Sequence, residues 1–323
     1  MGEDRGVSEL DEVQVVAARI QEAMSAVVVG KDRVVRTAVT VLLAQGHLLV
    51  EDVPGVGKTL LAKALGRSID CSVQRVQFTP DLLPSDVTGV SVFNQDARTF
   101  EFRPGAVFAN IVVGDEINRA SPKTQSALLE AMAEGQVTVD GTTYRLEEPF
   151  MVMATQNPIE MEGTYPLPEA QRDRFMARIE MGYPDPAAEL AMIGSHSETD
   201  PLDELEPVTD SATVARLVQA VRRLYASPAV LQYVVDLAVA SRHHPRLRLG
   251  VSPRAALHLV RAARAHAALA GREHVLPDDV QRLAVPVLAH RVILSNDARL
   301  ARDTAEQVLT DLLREVPVPA GVR

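Results

Sequence analysis

Apolar positions along this chain switch between a period near 3.6 and a period of 2. From Asp11 to Ala26, Val13, Val16, Ala17, Ile20 and Met24 recur at helical spacing and predict an amphipathic helix. Val27-Val28-Val29-Gly30 breaks that pattern, and Lys31 to Ala44 predicts a second helix. A short apolar run from His47 to Val50 then predicts a strand that stops at Glu51-Asp52, and helical spacing resumes from Leu60 to Arg67. Val73 to Phe78 alternates as a strand, followed by a polar, turn-rich stretch from Thr79 to Gly89. Val90–Phe93 and Thr99–Phe102 flank Asn94–Arg98 and predict a β-hairpin. Val107 to Gly114 has the continuous apolar character of a buried strand and ends at Asp115-Glu116. Ser121-Pro122 signals a helix start, with the helix running to about Glu134. Asp140-Gly141 lies between alternating residues from Val137 to Tyr144, a second hairpin. Phe150 to Ala154 predicts a strand leading into Thr155-Gln156-Asn157, and Glu169 to Met176 a short helix.

Strands that alternate with helices imply an α/β fold, a parallel sheet with helices on both faces. Such sheets place ligands at the carboxyl ends of their strands. Asp52, Asp115-Glu116 and Asn157 all follow strand ends, so the fold gathers them at one edge. From Pro184 to Val208 the text turns to Pro, Asp and Glu with weak periodicity and reads as a linker. Beyond it only helices are predicted, over Ala212–Leu224, Ala229–His243, Pro253–Ala270, Asp278–Ala289 and Thr304–Arg314. The third is the best marked, with Ser252 as cap, Pro253 at the first position and Gly271 past the end. The division is therefore an α/β core over 1–183, a linker over 184–208 and a small all-α domain over 209–323.

Composition narrows the class. The 323 residues are 46% hydrophobic but only 4% aromatic, so a sizeable core is aliphatic. No apolar run reaches bilayer length and no signal-peptide core precedes the first helix, which favours a cytoplasmic protein. Cys71, the only cysteine, excludes an intrachain disulfide. Net charge is −10, and residues 1–183 hold 17 Lys+Arg against 26 Asp+Glu. An acidic body argues against a large phosphate-backbone footprint, hence against nucleic acid as the partner. His243-His244 has no third ligand at metal spacing and reads as a solvated helix end.

The chemistry centres on Val53-Pro54-Gly55-Val56-Gly57-Lys58-Thr59-Leu60 between a strand and a helix. The N–H groups of Gly55, Val56, Gly57 and Lys58 can wrap a phosphate, backed by a helix N-terminus. Lys58 reaches the β- and γ-phosphates of such a ligand, and the Thr59 hydroxyl holds Mg²⁺. Lys is used only at positions 31, 58, 63 and 123, the other basic residues besides His being Arg, yet position 58 keeps the compact ammonium. Asp115 suits a metal anchor and Glu116 a group that orients or deprotonates water. Asn157 offers a neutral amide to a water or a γ-phosphate, or else forms an Asn-Pro turn. Asp52 stands where the motif has its first glycine, so its carboxylate must turn away from the phosphates.

Four stretches carry a family resemblance: Val76–Gly89 (VQFTPDLLPSDVTG), Asp115–Ala120 (DEINRA), Ala154–Pro158 (ATQNP) and Tyr165–Gln171 (YPLPEAQ). Together they resemble an AAA+ ATPase of the MoxR family, over nearly the whole chain. The resemblance implies ATP and Mg²⁺ as ligands, Lys58 and Thr59 in Walker A, Asp115 and Glu116 in Walker B, and Asn157 as sensor 1. It implies an arginine finger in Arg172-Asp173-Arg174-Phe175, Arg174 by preference, with Arg172 competing because that position is commonly apolar. Sensor 2 falls on Arg254, an adenine-contacting turn on Val29 and Gly30, a helix-2 insert on Val90–Phe102 and a pre-sensor hairpin on Val137–Leu146. Arg119 is a further interface residue or a helix-start surface charge. The implied activity is ATP hydrolysis in a homo-oligomeric ring, a hexamer by analogy, driving chaperone-like remodelling of partners that carry von Willebrand A domains. The alternatives are a nucleic-acid translocase, which Arg98 and the acidic body disfavour, and a nucleotide-gated module without turnover, which Glu116 and Asn157 disfavour.

Overall fold

Five parallel strands form the spine of the computed structural model. In chain order they are β1 (Leu48–Glu51), β2 (Val73–Gln77), β5 (Ile111–Asp115), β8 (Met151–Gln156) and β9 (Ala177–Ile179), and across the sheet they run β2-β5-β8-β1-β9. Residues 9–52, 55–156, 165, 167–183, 186–187, 189–190 and 201–319 are described. Because successive strand residues face opposite sides, the sheet feeds two cores. Leu48, Val50, Ile111, Val113, Met151 and Met153 join a large cluster with α1 (Glu9–Val27), α2 (Asp32–Leu43) and α3 (Lys58–Ser68). Leu49, Val112, Val152 and Ala154 pack on the other face with Leu128, Leu129 and Met132 of α5 (Pro122–Glu134). A short helix α4 (Pro84–Thr88) sits in the turn-rich segment after β2.

Two hairpins leave this body. β3 (Gly89–Asn94) pairs with β4 (Thr99–Pro104), and β6 (Gln136–Val139) with β7 (Thr142–Arg145). A Phe102–Tyr144 stack with centroids 3.9 Å apart joins them, while Phe93 and Phe100 form an exposed pair at 5.3 Å. At the root of the first hairpin, a Cβ on Gly105 would lie 2.4 Å from Gly89 N and 2.5 Å from Val87 O, so only glycine fits there.

The sequence expectations need three corrections. The strand expected over Val107–Gly114 starts only at Ile111, where pairing with Val73 of β2 begins. Asn110, just before it, turns its side chain to Ser72 and Pro149. The helix expected over Glu169–Met176 stops after one turn, α6 (Glu169–Arg172), because the chain must enter the edge strand β9. The C-terminal domain is not wholly helical. Its helices are α7 (Ser211–Arg223), α8 (Pro228–His243), α9 (Pro253–Leu269), α10 (Pro277–Leu288), α11 (Asn296–Leu300) and α12 (Ala305–Glu315). A small antiparallel pair, β10 (Leu247–Leu249) with β11 (Ile293–Leu294), ties them together. Strands of three and two residues are too short to print an alternation in sequence.

This lid packs on α1 and α2 through α7 and α9, and its buried residues join the first-face cluster. Within it, Asp279 is the polar anchor. Its carboxylate accepts from Leu276 N at the start of α10, from Arg272 at 2.5 and 2.7 Å, and meets His266 Nδ1 at 2.6 Å. Burial raises the Asp279 pKa, but the bonds from Arg272, His266 and Leu276 outweigh it and bring it down to about 2. An aspartate depressed from 3.8 stabilises the fold fully above that value and loses its contribution as pH falls toward about 2. Asp279→Ala is expected to cost about 3 kcal/mol at neutral pH, since it strands a mostly buried guanidinium. Thermal melts of both proteins from pH 7 down to pH 2 should show the gap in Tm narrowing below about pH 4; a constant gap would refute the role.

Candidate functional site

The carboxyl ends of β1, β5 and β8 meet at one edge of the sheet. Immediately after β1, Gly55 and Gly57 adopt φ of 82° and 88°, a left-handed backbone that glycine allows at no steric cost. Gly57 is the N-cap of α3, so Lys58 and Thr59 are the first two residues of that helix. Val53 and Pro54 of the same loop lie outside the described residues, as does Asn157 beyond β8. Lys58 Nζ donates to Asp52 O at 2.7 Å. Burial lowers the Lys58 pKa, and the charges of Asp52, Asp115 and Glu116 act against that shift. The ammonium and three carboxylates therefore share one edge.

Asp52 turns a carboxylate oxygen to the neighbouring strand exit. Its carboxylate accepts from Gly182 N, past the end of the neighbouring β9, while its own N–H donates to Gln156 O at 3.3 Å. The same exit from β9 receives Lys31, whose Nζ donates to Gly182 O and Tyr183 O at 3.1 and 2.8 Å. That bond draws the Val29–Gly30 turn, between α1 and α2, toward the phosphate loop. Gly182 was not legible as a site residue. It joins both contacts through its backbone, which carries no sequence signature.

Asp115 ends β5 and is buried; Thr155 Oγ1 on the adjacent β8 donates to its Oδ1 at 3.3 Å, and Arg75 Nε on β2 reaches its Oδ2 at 2.5 Å. Glu116 follows with φ 56° and ψ 49°, a left-handed conformation uncommon for a residue other than glycine. Its N–H donates to Thr155 Oγ1 at 3.0 Å, and its Oε2 accepts from Gln77 Nε2 at 3.0 Å and from Arg119 at 2.9 Å. Gln77 and Arg119 thus hold one carboxylate oxygen, while Thr155 holds the backbone. Arg75, Gln77 and Thr155 escaped sequence reading because they carry no motif of their own.

The donor set suits a hard divalent cation. Mg²⁺ on a phosphate loop takes one or two protein oxygens and fills its shell with phosphate and water, and Thr59 and Asp115 are the residues here that would offer such oxygens.

The candidate arginines lie elsewhere. Leu48 of β1 pairs with Ala177 of β9 in parallel register. Arg172 and Arg174 precede Ala177, so they sit at the amino edge of the sheet, whereas the phosphate loop sits at the carboxyl edge. The three residue steps of β1 alone separate these edges by about 10 Å. Met176 N donates to His47 O, just before β1, at the same edge. His47 itself is buried and neutral, its pKa pushed down to about 4 by burial; it accepts from Val152 N and sits 3.0 Å from Met132 O. Arg174 donates to Leu129 O on α5, and Arg172 Nε is buried with no hydrogen-bond partner among the described residues. Arg254, in the first turn of α9, lies 3.9 Å from Asp173 Oδ2. The structure therefore gathers Arg172, Arg174 and Arg254 together and leaves all three apart from Lys58.

Comparisons with known proteins identify the family. Residues 47–177 match the family described as "ATPase family associated with various cellular activities (AAA)", and residues 239–312 match the AAA lid domain. The uncharacterized protein YeaC of Bacillus subtilis is 49% identical over 92% of this chain and 93% of its own. Chaperone MoxR1 of Mycobacterium tuberculosis is 40% identical over 91% of this chain and 80% of its own. A crystal structure of a candidate ATPase from Cytophaga hutchinsonii superposes with a TM-score of 0.90 at 36% identity, covering 96% of this chain and 97% of that one. A phosphate loop after β1, an acid pair at the end of β5, a lid and relatives of this identity and coverage place the chain in the MoxR family of AAA+ ATPases.

Proposed function

We propose that the chain hydrolyses ATP at sites shared between neighbouring copies in a ring, a hexamer by family analogy. The observation that carries this reading is the division of the site between opposite edges of one parallel sheet. Phosphate-binding and acidic groups lie at the carboxyl edge, and the guanidinium groups of Arg172, Arg174 and Arg254 lie at the amino edge. A side chain cannot span both within one chain, but a second copy can bring its amino edge to the first copy's nucleotide.

In this reading the Val29–Gly30 turn contacts the base, and the loop from Val53 through Gly57 to Leu60 wraps the phosphates. Lys58 meets the β- and γ-phosphates, and Thr59 and Asp115 hold Mg²⁺. When bound, the metal neutralises phosphate charge. Glu116, held on one oxygen by Gln77 and Arg119, keeps its other oxygen for the attacking water and takes its proton as the water's oxygen bonds to the γ-phosphorus and the bond from that phosphorus to the β,γ-bridging oxygen breaks, releasing ADP and phosphate. Asn157 steadies the same water or the γ-phosphate. Arg174 of the neighbouring copy, with Arg254 beside it, meets the charge that develops on the transferring group.

The work done is remodelling or assembly of partner proteins, with von Willebrand A domains as the class that the resemblance suggests. One relative bears the name chaperone. The first hairpin supports a protein client. It exposes Phe93 and Phe100, while Asp96, Arg98, Glu101 and Arg103 balance in charge. A single strand of nucleic acid needs a positive track beside its stacking platform, and this hairpin has none.

Glu116→Gln is expected to keep ATP binding and lose turnover by roughly 10²–10⁴-fold, the span of general-base contributions. Equilibrium binding and phosphate release, measured on the same preparations, check this; a wild-type protein without turnover even beside its partners would defeat the hydrolase reading. Asp52→Gly should leave ATP affinity nearly unchanged, because the carboxylate is turned to Gly182. Tightening by orders of magnitude in a nucleotide titration would show that Asp52 repels the phosphates after all.

A further inference from the structure

Arg291 lies in the lid, in the turn between α10 and β11, with only 2% of its side chain exposed. Such burial of a guanidinium is costly unless its donors are used. Its NH2 group donates to Phe175 O and to His258 Nδ1, the latter at 2.6 Å. Its NH1 group makes no hydrogen bond among the described residues and faces Asp173 Oδ1 at an ion-pair distance of 3.6 Å. Phe175 and Asp173 are the two residues that flank Arg174. One lid side chain therefore grips both sides of the arginine that the sheet presents at its amino edge.

The neighbours make the grip directional. His258 can accept from Arg291 because it is neutral: burial, with Arg291, Arg261, His47 and Arg254 nearby, pushes its pKa down to about 3. His290 Nε2 lies 3.0 Å from the same Phe175 carbonyl. Asp173 also receives Ser252 Oγ, the N-cap of α9, at 3.0 and 3.2 Å. A lid held only for stability would be served by apolar packing, which this lid has in abundance. The polar contacts instead converge on the three-residue stretch around Arg174.

We propose that Arg291 is a positioning residue for the arginine finger: it makes the lid and the Asp173–Phe175 segment move as one body, so that the lid of each copy sets the aim of Arg174 into the next copy's site. This inference rests on the shared-site reading above. It assigns Arg291 no contact with ATP. Its loss should therefore impair turnover at the neighbour's site while the chain's own nucleotide site stays intact.

The test is complementation in mixed assemblies, using Arg291→Met, Arg174→Ala and Glu116→Gln full-length proteins. Arg291→Met alone should bind ATP as wild type does and lose turnover by about 100-fold, the cost of misplacing a catalytic group by an ångström. Mixed with Glu116→Gln, which has a dead site but an intact arginine edge, it should regain turnover as Arg174→Ala does. Mixed with Arg174→Ala it should not. Arg291→Lys keeps the charge toward Asp173 but loses the planar fork, and should fold and show the same rescue pattern with a smaller loss. The proposal is overturned if either Arg291 variant turns over at the wild-type rate. It is equally overturned if Glu116→Gln rescues Arg174→Ala but not Arg291→Met, since the defect would then be general. Full turnover by Arg174→Ala would remove the shared-site reading itself, and the inference with it.

Discussion

Parallel strand pairing is the constraint on which the rest of this molecule depends. Five strands running one way put every strand exit at one edge and every strand entry at the other. The phosphate loop, Asp115, Glu116 and the exit of β8 need no further device to converge, because each simply follows a strand. The same rule sends Arg172 and Arg174 to the far edge, since they precede β9. On the proposed reading, a chain built this way carries both halves of a site that it cannot join by itself, and closure between copies then follows from the topology.

The polar contacts that cross between elements respect this division. At the carboxyl edge, Asp52, Lys31 and Gly182 lock the exits of β1 and β9 beside the loop. At the amino edge, Ser252, Arg254 and Arg291 of the lid converge on Asp173. Between the edges, Arg178 on β9 pairs with Glu51 on β1 at 2.9 Å and with Glu306 on α12. The lid is thus fastened along the length of β9, which is also the strand that carries the arginine segment. Guanidinium groups suit this work, because a planar fork can serve a carbonyl and a carboxylate at once where an ammonium acts as a point.

Much of this was legible in the sequence, and the division is physical. The apolar runs that predict β1 and β8, the alternation that predicts β2, and the helix signals of α1, α5 and α9 are local and strong. Ser252, Pro253 and Gly271 mark their helix because caps obey near-neighbour chemistry: Ser252 Oγ accepts from Ala255 N at 3.0 Å. The acid pair at 115–116 was readable because its strand is. What escaped depends on partners far apart in the chain. Gly182 meets Asp52 across 130 residues, and Arg291 meets Phe175 across 116. β9 escaped for another reason. Three residues at a sheet edge hold too little pattern to outweigh the helical start before them.

The central claim is that one site is built from two copies. The most direct measurement is ATP turnover of an equimolar mixture of Glu116→Gln and Arg174→Ala proteins, each inactive alone. Shared sites predict that the mixture recovers turnover, because intact loops of one variant meet intact arginines of the other. A mixture that forms mixed assemblies and stays as inactive as its parts would contradict the account.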